Sequence, residues 1–263
     1  MTKKIFYILL IFLISCSSAI KHQSVKDIVH RRAYLFVKKI VNIKVCEKNQ
    51  CAQSRMISVG SGFIVKINYK GAYALTAAHV CEEPGITLRG ENTKVKNNII
   101  IKVETLDDRY YTAKVIATNN KIDACILFIK DLVDNIEEVQ IALVPPVEGD
   151  RVYNVASPYG IKFTNVVPIF EGFYIGTKKF RSFYTFTAAP GSSGSMILNA
   201  DGDLIGLLHS VYVNLHEIVI GVTYHDLKHF IAVNIQEYES RLNLRNHPPP
   251  IPTYNNFLER KNF

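Results

Sequence analysis

The sequence predicts an all-β protein: two six-stranded antiparallel β-barrels followed by one helix. Three observations carry this. Twelve short runs rich in β-branched and aromatic residues alternate with turn-forming residues. The runs fall six and six on either side of the connector LVPPVEGD (143–150). One late segment switches from strand-like alternation to helical spacing.

The first barrel is assigned to residues 34–142. Its runs are LFVKKIVNIKV (35–45), RMISVGSGFIVKI (55–67), AYALTA (72–77), NNIIIKVET (97–105), YYTAKVIAT (110–118) and ACILFI (124–129). The second barrel takes residues 150–224, with runs at 151–156, 165–176, 182–188, 195–198, 204–213 and 218–224. Many short strands with a break at the midpoint fit two closed barrels better than one long sheet. The helix is expected over 225–242, where Leu227, Phe230, Ile231 and Ile235 share one face. NHPPPIPTYNN follows, and its prolines end the helix and leave an extended Pro-rich tail over 243–263.

The N-terminus reads as a leader rather than as fold. MTKK supplies positive charge, and IFYILLIFLI is apolar but short for a membrane span. LISC at 13–16 resembles a bacterial lipobox, which implies a cut after Ser15 and a lipid on Cys16. An ordinary secretory signal and an uncleaved anchor remain the alternatives. Either cleaved form implies export, and the lipid implies a membrane-anchored protein facing the periplasm or cell exterior. Residues 16–33 are polar and read as a tether.

Composition fits a globular domain: 48% of the 263 residues are hydrophobic and 21% charged. Net charge is +8, and with residues 1–15 removed 29 basic residues face 23 acidic ones. The basic residues are scattered, and no zinc spacing or RNA-binding aromatic pattern accompanies them, so no nucleic-acid partner is expected. No cofactor or metal ligand set is evident, and HExxH is absent. Of five cysteines, four remain if Cys16 carries lipid. Cys46 and Cys51 bracket a short polar loop between strand-like runs, which fits a hairpin-closing disulfide.

The chemistry lies in three short stretches. LTAAHVC holds His79, NKIDACILF holds Asp123, and TAAPGSSGSMIL holds Ser193. A serine hydroxyl is a weak nucleophile that needs a base, and the base needs a third group to fix its tautomer. His79, Asp123 and Ser193, in that chain order, supply all three. A nucleophile elbow of the α/β-hydrolase kind fits worse, because its Gly-x-Ser-x-Gly precedes a helix and a strand follows here.

The flanking residues extend the match. GSGFIV (60–65), ALTAAHV (74–80), DACIL (123–127), SPYG (157–160), PGSSGS (190–195) and GDLIGLLHS (202–210) together resemble the trypsin/chymotrypsin-like serine proteases. Within them the look is of the bacterial branch of HtrA-type and V8-type enzymes. The resemblance covers about residues 55–232 and implies a chymotrypsin-like fold and a serine endopeptidase acting on proteins or peptides. It implies that Ser193 attacks the scissile carbonyl, that His79 shuttles the proton and that Asp123 orients His79. The N–H groups of Gly191 and Ser193 would form the oxyanion hole. Cys81 and Cys125 each follow a triad member by two positions, so a second disulfide and two buried thiols both stand as readings.

The departures bear on activation and specificity. Ser192 occupies the place where trypsin-type zymogens carry an activating Asp, so activation by a freshly cut N-terminus is not expected. About 30 residues follow Ile231, too few for the PDZ domain that HtrA proteins commonly add. V8-type enzymes meet a glutamate with a His on the strand after the nucleophile. Counting without a gap puts Leu208 at that place and turns His209 toward Asp123; a one-residue bulge would reverse this. With Thr187 and Ala188 before the nucleophile and Leu208 on the wall, a small or medium apolar residue is expected before the cut. The backbone of His209, Ser210 and Val211 is expected to pair with the substrate as an added strand. The competing reading is a catalytically silent relative that binds extended peptides or partners at a membrane surface.

Overall fold

The computed structural model describes residues 24–47, 50–83, 93–212 and 215–246. The apolar N-terminal run, Cys16 and the tail from 247 onward lie outside the described residues. Strands β1 (Tyr34–Glu47), β2 (Gln50–Asn68), β3 (Gly71–Thr76), β4 (Thr93–Thr105), β5 (Tyr110–Asn119) and β6 (Ala124–Lys130) close the first barrel. Its order is β1-β2-β3-β6-β5-β4, every pair antiparallel. Strands β7 (Arg151–Val155), β8 (Ile169–Lys178), β9 (Arg181–Thr185), β10 (Met196–Leu198), β11 (Leu204–Tyr212) and β12 (Leu215–Val222) close the second. Its order is β10-β11-β12-β9-β8-β7, again antiparallel.

Burial alternates along β8 and β9, but β3 and β10 are buried along their whole length. The inner face of β3 joins Phe63, Ile64, Ile126 and Ile129 in the first core, all fully buried. Two short helices, α1 (Val25–Ile28) and α2 (Ala78–Cys81), precede a long one, α3 (Tyr224–Asn246), whose Tyr238 ring reaches Tyr73 of β3. Leu227, Phe230, Ile231 and Ile235 of α3 are buried against barrel one, and Tyr238 meets the rings of Tyr73 and Phe128. The ion pair Lys66–Glu239, 2.8 Å, closes the rim of this contact. The end of the second half thus packs back on the first barrel.

Two features depart from the sequence expectations. Residues 24–33 are not a free tether: Val29 and Ala33 are buried, because the apolar side chains of this stretch have a barrel surface to cover. The helix begins at Tyr224 and runs four residues past 242. The β1–β2 hairpin is long, with Met56 and Ile57 exposed opposite the middle of β1 and β4 pairing along β1 to Glu47.

Cys46 and Cys51 are bonded to each other at the hairpin end, and Cys81 is bonded to Cys125. The second bond closes a sequence separation of 44 residues. Replacing Cys81 and Cys125 together by serine should lower stability by about 4 kcal/mol, from the chain entropy returned to the unfolded state. Urea unfolding of the oxidised protein and the double variant measures this.

Candidate active site

His79 lies in α2, a single turn that follows β3 directly. Asp123 ends the turn between β5 and β6, at positive φ (55°). Its carboxylate takes two bonds from the same residue: one from His79 Nδ1–H, 2.8 Å, and one from the His79 backbone N–H, 3.0 Å. A carboxylate only accepts, so this contact puts the ring proton on Nδ1 and leaves Nε2 as a free base. The Cys81–Cys125 bond ties the His79 turn to the first residues of β6, next to Asp123. Lys39 Nζ donates to the His79 carbonyl at 2.7 Å and to the Glu82 carbonyl at 3.1 Å, which holds α2 from its other side. Burial pushes the Asp123 carboxyl up, but the hydrogen bonds from His79 outweigh it, and the group sits below the ordinary carboxylate range.

Ser193 comes from the other barrel, on the loop before β10. Gly191 (φ 99°) and Gly194 (φ 87°) flank it in conformations that side chains resist. Space forbids a side chain there too. A methyl on Gly194 would lie 2.2 Å from Thr76 Oγ1, and one on Gly191 would lie 2.5 Å from the Ser157 carbonyl.

Ser61 of β2, fully buried, fastens this loop to the first barrel. Its N–H donates to the Ser193 carbonyl at 2.8 Å. Its hydroxyl donates to the Gly191 carbonyl at 2.9 Å and accepts from the Ser157 N–H at 3.1 Å. Its carbonyl accepts from Thr76 Oγ1 at 2.7 Å. Ser157 in turn shares a hydrogen bond with Tyr34 of β1, whose phenol burial keeps protonated. A methyl on Gly60 would touch Val80 Cγ2 at 3.0 Å and the Ser193 carbonyl at 3.1 Å. The residue after His79 and the backbone of Ser193 therefore approach on either side of one α-carbon. Gly191 N–H and Ser193 N–H have no hydrogen-bond partner among the described residues.

The structure brings His79 and Asp123 together directly. Ser193 Oγ donates instead to the His209 carbonyl, at 3.4 Å. His209 is the extra residue of a bulge in β11: Leu208 pairs with Gly221 and Ser210 with Ile220, leaving His209 without a partner position. Even so, its ring faces Asp123, with Nδ1 at 3.9 Å from Oδ2 and 2.9 Å from Ser210 Oγ. The bulge thus does not carry the ring away from the carboxylate. Leu208 and Ala188 are packed in the second core with Tyr174, Tyr184 and Val219, so they offer little side-chain surface to a ligand; Thr187 is exposed. Ser210 and Val211 are half-buried on β11 beyond the end of β10.

A family model described as a trypsin-like peptidase domain matches residues 60–207. The chain belongs to the trypsin-like peptidases. It is 26% identical over 161 residues to the periplasmic serine endoprotease DegP of Escherichia coli, a match covering 59% of this chain and 30% of that protein. A probable periplasmic serine endoprotease DegP-like of Chlamydia muridarum is 30% identical over 166 residues, covering 59% of this chain and 29% of that one. The chain thus spans under a third of the length of these relatives. The crystal structure of the serine endoprotease from Yersinia pestis superposes with a TM-score of 0.55 at 20% identity, over 79% of this chain and 64% of that chain. That likeness is one of fold.

This trypsin-like peptidase carries a second histidine beside the half-buried Asp123 carboxylate, and that histidine has a consequence for stability. Burial pushes the His209 imidazole below its ordinary value of 6.5, and the charges of Arg181 and His79 add to the effect, against Asp123. A group depressed in the fold takes up its proton more readily when unfolded. Its contribution to stability is therefore present above 6.5 and lost as pH falls below that value. Unfolding midpoints of the wild type should decline below pH 6.5 more steeply than those of His209→Gln.

Proposed function

We propose that the chain is an exported serine endopeptidase that hydrolyses peptide bonds through Ser193, His79 and Asp123. The observation that carries this is the pair of hydrogen bonds that Asp123 accepts from His79, which hold the ring with its proton on Nδ1. In the working step Ser193 Oγ turns from the His209 carbonyl toward His79 and attacks the scissile carbonyl carbon as its proton passes to Nε2. The carbonyl oxygen becomes an oxyanion that the Gly191 and Ser193 N–H groups receive. The C–N bond breaks, the amine leaves with the proton from His79, and an acyl group remains on Oγ. Water, deprotonated by the same imidazole, releases it. Asp123 stays ionised throughout and stabilises the imidazolium. We further propose that a lipid on Cys16 holds the mature protein at a membrane; serine at that position should release it into the soluble fraction.

One observation favours the second reading, peptide binding without cleavage: Ser193 Oγ rests on the His209 carbonyl. Labelling with a fluorophosphonate probe separates the two. The wild type should label, and Ser193→Ala and His79→Ala should not. Asp123→Asn should label about 10⁴-fold more slowly, since the ring tautomer is no longer held. A folded wild type that takes up no label would favour binding over cleavage.

A further inference from the structure

A second concave surface adjoins the site on its His209 side. Lys121, Lys178, Lys179, Phe180, Arg181 and Phe183 line a cleft of about 410 Å³. It lies between the β5–β6 turn of the first barrel and the β8–β9 hairpin of the second. Lys121 Nζ stands 3.8 Å above the centre of the Phe180 ring, so the two barrels meet there. Lys178 and Arg181 face each other in the hairpin register, and Lys179 turns between them at positive φ (56°).

The cleft is cationic without compensation. No acidic residue lines it. None of its four cations forms an ion pair among the described residues, although eleven such pairs occur elsewhere in them. Four like charges around one concavity repel each other, and an anion placed among them relieves that repulsion. The two aromatic side chains add apolar wall. No helix N-terminus or glycine-rich turn contributes N–H groups to it, the usual furnishing of a phosphate site. Cations interleaved with aromatic rings suit carboxylate side chains on a polypeptide.

Its position ties it to the site. Lys121 stands two residues before Asp123. Arg181 is near enough for its charge to act on His209. His209 begins the part of β11 that continues past the end of β10, and a peptide could pair along that edge. We propose that this cleft is a subsite for acidic side chains of the bound polypeptide, on the N-terminal side of the scissile bond, so that the substrates are acidic proteins or acidic extended segments. The proposal rests on the reading of the chain as a peptidase.

The test uses two fluorogenic peptides, identical except for Glu or Gln at the second to fourth positions before the cut. Their shared sequence is taken from the peptides of a mixed library that Ser193→Ala retains. The ratio of kcat/KM, Glu over Gln, should exceed one and shrink as salt is raised. Lys178→Glu with Lys179→Glu should lower that ratio about tenfold or more. Lys44→Glu with Lys70→Glu makes the same change in net charge on barrel one and should leave the ratio as it was. A wild-type ratio of one, or a ratio that both double variants lower equally, overturns the subsite. Binding of the same peptides to Ser193→Ala, read by fluorescence anisotropy, separates the two claims. Preference for the Glu peptide that the hairpin reversal removes, in a protein that cleaves nothing, keeps the cleft and overturns the peptidase reading. Cleavage with equal binding of both peptides does the opposite.

Discussion

The site depends on Ser61. His79 and Asp123 come from one barrel and Ser193 from the other, so the proposed reaction requires that the two halves be held in register. Ser61 does this with its N–H and its hydroxyl. Its N–H and hydroxyl take the carbonyls on either side of Ser192, and its own carbonyl is held by Thr76, at the end of the strand that leads to His79. The bonds are buried, so a lost partner would leave the other group unsatisfied in a place water does not reach. By holding carbonyls, they leave the N–H groups of Gly191 and Ser193 without partners.

The other features of the site extend this clamp. The Asp123 carboxylate fixes both the backbone and the ring of His79, and the Cys81–Cys125 bond joins their two segments covalently. Gly60, Gly191 and Gly194 let three backbones come closer than side chains allow. Helix α3 returns from the second barrel to pack on the first, and β3, the strand that delivers His79, is buried along its whole length. The site is therefore built at the seam of the two barrels. The Ser193 side chain rests on the His209 carbonyl, a rotation away from the base in the proposed reaction.

How much of this the sequence discloses depends on how local each signal is. Runs of β-branched and aromatic residues between turns, and the helical face of Leu227, Phe230, Ile231 and Ile235, are patterns within a few residues, so both barrels and the helix can be read directly; the Gly-Ser-Ser-Gly-Ser loop is equally local. Ser61 was visible as a polar residue between two glycines in an apolar strand, but its bond to Gly191 spans 130 residues and has no local signature. The cationic cleft is hidden for the same reason. Lys121 and the hairpin at 178–181 are unremarkable apart, and folding puts them on one concavity. His209 shows a different limit: period-two counting has no way to register the extra residue of a bulge.

The most direct test of the account is the fluorophosphonate labelling rate of Ser61→Ala, compared with the wild type at equal folded fraction. Ser61 lies within a strand and touches no substrate in the proposed reaction. Loss of its hydroxyl should loosen Gly191 and slow labelling by about a hundredfold, with Ser61→Thr recovering part of the rate. A folded Ser61→Ala protein that labels as fast as the wild type would contradict the claim that the nucleophile loop is positioned from the opposite barrel.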